Sequence, residues 1–223
     1  MLFMQFLVII NFKEYKEATG KNSLSLVKQL EEAAKKTRAH VILIANNLDL
    51  ATITKRTTLK ILSQHIDPVH YGQHTGKIVP EEAKKDGAYG VLINHAEDRV
   101  SFPILKKTIQ RAKEANLKTF VCSSSLAEVK KIIPLQPYAL AFEVPSLIGT
   151  GKAISRYKPK SVKHFVHLLK KTKIIPLCGA GVSTKEDVQE AIALGAKGVL
   201  ISSAIVKAKN PGKKLRELCN GNY

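Results

Sequence analysis

Tyr138-Ala-Leu-Ala-Phe142-Glu143-Val-Pro145-Ser-Leu-Ile148-Gly149-Thr-Gly151-Lys152 joins a short apolar run to a carboxylate and then to a loop bounded by Pro145 and two glycines. A five-residue apolar run followed by turn-forming residues has the length of a buried strand. Glu143 stands where that strand ends. It is a candidate general base on a rigid tip, beside a segment that can pivot and close over it. Closure expels water, and losing water raises a carboxylate's pKa toward neutrality.

Similar units recur on both sides of this one. Apolar runs at 6–10, 41–45, 60–65, 90–94, 119–123, 138–142, 174–178 and 198–202 alternate with helical patterns, at a spacing of roughly 25 to 30 residues. The helical segments include 24–36, 80–85, 104–115, 126–133, 161–171 and 184–194. Pro80 suits a first helical turn, Ser183 is a candidate N-cap with Glu186 three residues on, and Gly195 follows the last periodic residue of its helix. Strands this apolar, separated by helices, imply a parallel sheet covered on its outer face. Eight such units predict an α/β fold, a (β/α)8 barrel forming one domain over residues 1–223.

Composition narrows the class. The 223 residues are 44% hydrophobic, enough for a full core. Cys122, Cys178 and Cys219 are odd in number and widely spaced, which suits reduced thiols in a cytoplasmic protein better than a disulfide framework or a zinc site. The N-terminal run Met1–Ile10 has no basic residue ahead of it and no small-residue cleavage site after it, so it is not expected to be a signal peptide, and Phe6–Ile10 is expected to be a buried first strand. No stretch approaches the ~20 apolar residues that cross a bilayer. Lys plus Arg outnumber Asp plus Glu by 36 to 18. The lysine pairs are spread along helical faces and Trp is absent, so no nucleic-acid partner is expected. A positive surface would also speed the encounter with an anionic metabolite. His65, His70 and His74 share one loop, but with no cysteine nearby no metal site is expected.

A barrel places its chemistry at the C-terminal ends of its strands. There the chain carries Asn11-Phe-Lys13, then Asn94-His95-Ala-Glu97, then Glu143, then Gly179-Ala-Gly181-Val-Ser183, and finally Ser202-Ser203. A cation, an imidazole and a carboxylate thus meet a Gly-rich, hydroxyl-bearing cradle on one rim. Gly-Ala-Gly is a poor dinucleotide fingerprint, because the third glycine is missing and it lies in the seventh unit.

With Gln64-His65, His74-Thr75-Gly76 and Leu147-Ile-Gly-Thr-Gly151 added, the ordered set resembles the triosephosphate isomerases of the compact archaeal type over nearly the whole chain. The resemblance implies interconversion of dihydroxyacetone phosphate and glyceraldehyde 3-phosphate, in glycolysis and gluconeogenesis, without metal or organic cofactor. It implies Glu143 as base, His95 as neutral electrophile, Lys13 as cation with Asn11 assisting, and Glu97 as the partner that holds Lys13. Gly149, Gly181, Ser202 and Ser203 would hold the phosphate, and Ile148 would press on the base. It also implies a homo-oligomer, dimer or tetramer, with the Thr75 loop at the interface. Three departures bear on the lid: Val144 stands where Pro is usual, Ser146 where Glu is usual, and Ala96 where Ser is usual. Two other readings stay open: another phosphosugar isomerase on this fold, which would not need the Lys13, His95 and Glu143 set, and a non-catalytic basic binding protein.

Overall fold

A computed structural model of the chain describes residues 6–220; Met1–Gln5 of the N-terminal run lie outside the described residues. Eight strands close into one barrel: β1 (Leu7–Asn11), β2 (His40–Ala45), β3 (Lys60–Ser63), β4 (Gly90–Ile93), β5 (Lys118–Ser123), β6 (Ala139–Phe142), β7 (Ile175–Cys178) and β8 (Gly198–Ile201). Each strand pairs in parallel with its sequence neighbour, and β8 returns to β1 with Val199 opposite Val8. The predicted (β/α)8 barrel is the fold observed. The helices are α1 (Gly20–Ala34), α2 (Leu50–Thr54), α3 (Pro80–Lys85), α4 (Phe102–Glu114), α5 (Leu126–Ile132), α6 (Ile154–Tyr157), α7 (Pro159–Leu169), α8 (Lys185–Ala193), α9 (Ser203–Val206) and α10 (Pro211–Cys219).

The apolar surface divides into two cores. Side chains alternate across a strand, so one set fills the barrel and the other faces the helices. Ile9, Ile42, Leu62, Leu92, Phe120, Ala139, Ala141, Leu177 and Leu200 belong to the inner cluster. Val8, Ile10, Leu43, Val91, Val121, Leu140, Phe142 and Val199 belong to the outer one, with Leu30, Ile109 and Phe165 of the helices. Phe142 stacks on Phe165 at a centroid distance of 5.3 Å, which ties the end of β6 to α7. All three cysteines are free and buried. Among the described residues no helix is long and apolar enough to cross a membrane.

Several sequence expectations need correction. β1 begins and ends one residue later than the run at 6–10 suggests, and β3 stops at Ser63 rather than His65. Ser63 Oγ donates to the His65 carbonyl at 2.6 Å, a local turn that competes with further pairing. Helices α2 and α10 were not anticipated. Ser183 is not the N-cap of α8. Thr184 is, accepting from the Asp187 amide, and Asp187 answers the Thr184 amide at 2.9 Å in a reciprocal capping box. Asp187 also accepts from the Ser183 amide at 3.0 Å and lies 3.7 Å from Arg156. One buried carboxylate thus fixes the whole turn after β7.

Asp187→Ala leaves the Ser183 and Thr184 amides without their acceptor. Its expected cost is about 1–3 kcal/mol of unfolding free energy, read from urea denaturation; an unchanged midpoint would show that solvent replaces those bonds freely.

Candidate active site

Strand parity decides which side chains reach the upper mouth of the barrel. On β6, Ala139 and Ala141 point inward, so Glu143 does as well. On β1, Ile9 sets Asn11 inward; on β7, Leu177 sets Gly179 inward; on β8, Leu200 sets Ser202 inward. On β4 the same rule would send Asn94 into the site. Asn94 instead takes a left-handed backbone, φ +65°. Its side chain turns away to donate to the Cys122 carbonyl and to Glu128, and to accept from the Val100 amide. Small polar Asn tolerates that conformation better than most residues. The twist puts His95 at the mouth instead.

These residues line one cavity of about 320 Å³ at the C-terminal ends of the strands. Asn11, Lys13, His95, Glu143, Ile148, Gly149, Gly181, Ser202 and Ser203 all border it. Glu97 does not. It stands on the exposed rim, where its carboxylate meets Lys13 Nζ at 2.5 Å. Lys13 has a positive φ of +47°. Its amide donates to Asn11 Oδ1 at 3.0 Å and its carbonyl accepts from Gln64 at 3.1 Å. Three neighbours thus over-determine a conformation that costs an unsupported residue about 1–3 kcal/mol.

His95 is buried, and Nδ1 accepts from the Glu97 amide at 3.2 Å. An accepting Nδ1 carries no proton, so the neutral ring bears its hydrogen on Nε2, the nitrogen nearer the base. Burial first, and the Lys13 charge second, lower its pKa below the ordinary histidine value, against the opposing pull of Glu97 and Asp98.

Glu143 is 1% exposed. Oε1 lies 3.7 Å from His95 Nε2, beyond hydrogen-bond length, and neither carboxylate oxygen has a hydrogen-bond partner of normal geometry. Burial pushes its pKa up to about 7; the Cys122 thiol, the Ala96 amide and the Lys13 charge lie near enough to soften that rise. Gly179 makes the space. A Cβ there would sit 2.6 Å from Glu143 Cγ. The parity of β7 could have flagged this glycine in the sequence, where it reads only as part of a turn.

Beyond Glu143 a short 3-10 turn (Pro145–Leu147) leads to Gly149 and Gly151, both at positive φ. The far end of the loop is docked. Ile154 donates to the Ala180 carbonyl at 3.0 Å, and a Cβ on Gly181 would lie 2.0 Å from the Lys152 carbonyl oxygen. Thr150, Gly151 and Ser183, which stand in the sequence motifs without an individual role there, also face the cavity. Ser202 Oγ donates to the Asn11 carbonyl at 2.7 Å, binding the first and last units together. His65 of the third loop pairs with Asp98 and Asp67. Among the described residues no cluster of three such side chains has the geometry of a metal site.

The sequence profile of the family described as Triosephosphate isomerase matches residues 6–221. Triosephosphate isomerase of Methanothermus fervidus is 36% identical over 214 residues, covering 95% of this chain and 96% of that protein. The enzyme of Methanobrevibacter smithii is 39% identical over 216 residues, covering 95% and 96%. The crystal structure of triosephosphate isomerase from Bartonella henselae superposes with a TM-score of 0.72 at 18% identity, covering 95% of this chain and 98% of that one, a likeness of fold. From the ordered motifs, the closed barrel and these relatives together, the chain belongs to the triosephosphate isomerase family.

Proposed function

We propose that the chain interconverts dihydroxyacetone phosphate and glyceraldehyde 3-phosphate through an enediolate, as an aldose–ketose isomerase of glycolysis and gluconeogenesis. The observation that carries this reading is the juxtaposition of an unpaired buried carboxylate and a neutral imidazole 3.7 Å apart, in a cavity they share with Lys13. Glu143 takes a proton from the carbon beside the substrate carbonyl and returns it to the neighbouring carbon. A base with a pKa near neutrality suits both transfers. His95 Nε2–H polarises the carbonyl and passes protons between the two enediolate oxygens. Lys13 places positive charge against the oxyanion and the phosphate, with Asn11 as an added donor. Glu97 touches neither; it is a positioning residue for Lys13 and for the His95 tautomer.

The amides at Gly149 and Gly181, with Ser202 and Ser203, form the phosphate cradle. Ile148 covers the base when the lid shuts, which keeps water from an enediol phosphate that would otherwise lose phosphate. Preorganised donors can stabilise an enediolate, so the reaction needs no cofactor chemistry. The same reading makes the protein a cytoplasmic homo-oligomer, dimer or tetramer, joined through the Thr75 loop. That loop's exposure from Tyr71 to Lys77 supports this.

Three measurements test the assignment. Glu143→Asp withdraws the carboxylate by about 1 Å, and displacement on that scale lowers kcat by roughly 100-fold. Near-normal turnover in a coupled triose phosphate assay would remove Glu143 as the base.

Gly179→Ala puts a methyl group against Glu143 Cγ, and the carboxylate must give way. A loss of kcat of about 100-fold with KM nearly unchanged is expected. An unchanged kcat would mean the base tolerates displacement and the close packing is incidental.

In the free enzyme, activity requires ionised Glu143, so kcat/KM should fall about tenfold per pH unit below about 7. The second ionisation of the substrate phosphate lies near 6, roughly a unit lower, so the two limbs can be separated. A single acid limb at the phosphate value would contradict the burial effect.

A further inference from the structure

Between Glu143 and Glu186 the sequence contains no carboxylate at all. That interval, 144–185, carries eight lysines and one arginine, half of the chain's net charge of +18. Lysine pairs spread along the sequence hide this concentration; the missing acids reveal it. In the fold the interval runs from the lid through α6, α7 and β7 to the first residue of α8. On α7 the apolar positions Val162, Phe165 and Leu169 are buried against the barrel. Lys160, Lys163, His164, His167 and Lys170 are exposed, at the three- and four-residue spacing that places them along one outer face.

None of the α7 lysines has a carboxylate within ion-pair distance among the described residues, and neither do Lys158, Lys170, Lys171 and Lys173 around it. Among the lysines elsewhere, Lys13, Lys77, Lys85 and Lys214 have one; what sets this interval apart is that its cations stand with no carboxylate of their own between Glu143 and Glu186. Lys158 and Lys160 also sit at the positive end of the helix dipole, where cations are disfavoured. This arrangement is electrostatically adverse for the isolated chain and becomes favourable against a polyanion. The neighbouring helices do little to neutralise it. On α5, Lys130 and Lys131 are exposed, and Glu128 is held by Arg99. On α8 only Glu186 and Glu190 flank it, since Asp187 is buried in its cap.

We infer that this strip binds single-stranded nucleic acid, as an activity separate from the isomerase cavity. Tyr157, 57% exposed and with Lys152 Nζ 5.7 Å from its ring centre, offers a stacking face at the upper end of the strip. The helix from Lys160 to Lys170 spans about 15 Å. An anionic membrane fits less well, because α7 turns no apolar side chain outward to enter a bilayer. A protein partner fits less well too, since the strip lacks the apolar centre of such interfaces.

Fluorescence anisotropy of the full chain with a labelled oligouridylate of about 20 nucleotides tests this at about 50 mM KCl and above. Binding should weaken with salt at a log–log slope of about −3 to −4, from roughly 0.7 per phosphate neutralised by about five cations. The triple change Lys160→Glu, Lys163→Glu and Lys170→Glu should weaken binding at least ~30-fold and leave isomerase kcat/KM unchanged. Tyr157→Ala should weaken it at least ~5-fold through lost stacking. The comparison protein carries the same charge change on other helices: Lys28→Glu, Lys84→Glu and Lys106→Glu. Equal losses in both triple variants would reduce the effect to net charge and overturn a site at α7. So would no binding at low salt, or binding to phosphatidylserine vesicles without binding to the oligonucleotide.

Discussion

Everything at the mouth of the barrel answers to one costly element, a carboxylate buried without a hydrogen-bond partner. Glu143 has a folded-state pKa raised to about 7 from an ordinary 4.5. A raised pKa means that the folded protein favours the protonated form. Stability from this group is therefore fully present below about 4.5 and is lost as pH rises through about 7. At working pH the folded state carries an ionised base at a cost of about 3 kcal/mol. That cost is what makes the base reactive. His95 is shifted the other way, its neutral form favoured by burial, so its contribution to stability is lost as pH falls below the ordinary histidine range. The two shifts keep a proton acceptor beside a neutral proton donor, with no ion pair to quench either.

Such a site needs a rigid surround, and the barrel supplies it by alternation. Four of the strands deliver their residues to the mouth by continuing an inward parity already set in the inner core. The fourth strand breaks the rule at Asn94, and Lys13 follows its strand through a second left-handed residue. Both exceptions sit on residues bound by several hydrogen bonds each. At the functional end of the barrel this local strain is held in place by neighbouring groups; Asn116 and Gln136, also left-handed, precede β5 and β6 at the opposite end.

This division explains what could be read in advance. The strands, their parallel order and closure, and the convergence of Lys13, His95 and Glu143 were legible, because apolar runs alternate with helices and each reactive residue follows a strand. Helix α2 was not, since five residues are too few to display a period. The cap of α8 was misassigned by one residue because Ser183 and Thr184 are equivalent by type, and only the position of Asp187 separates them. Gly179 shows another limit. The parity of β7 marks it as facing inward, but the 2.6 Å that its missing methyl leaves to Glu143 is a relation between two strands that neither sequence segment contains.

The lid shows how one substitution acts through backbone geometry. Its two ends are built differently. The far end is pinned, with Lys152 against Gly181 and Ile154 bonded to Ala180, so lid and phosphate cradle share a boundary. The near end begins at Val144, φ −101°, well away from the −65 ± 15° or so that a proline ring imposes. A proline here would have to rotate the peptide next to the base, whereas valine leaves that peptide where burial of Glu143 puts it. Pro145 still holds Val144 in the extended region that precedes a proline. The near hinge is therefore restrained by one ring instead of two. With Ala96 offering only its backbone amide near the carboxylate, the resting position of Glu143 rests on packing against Gly179 more than on hydrogen bonding.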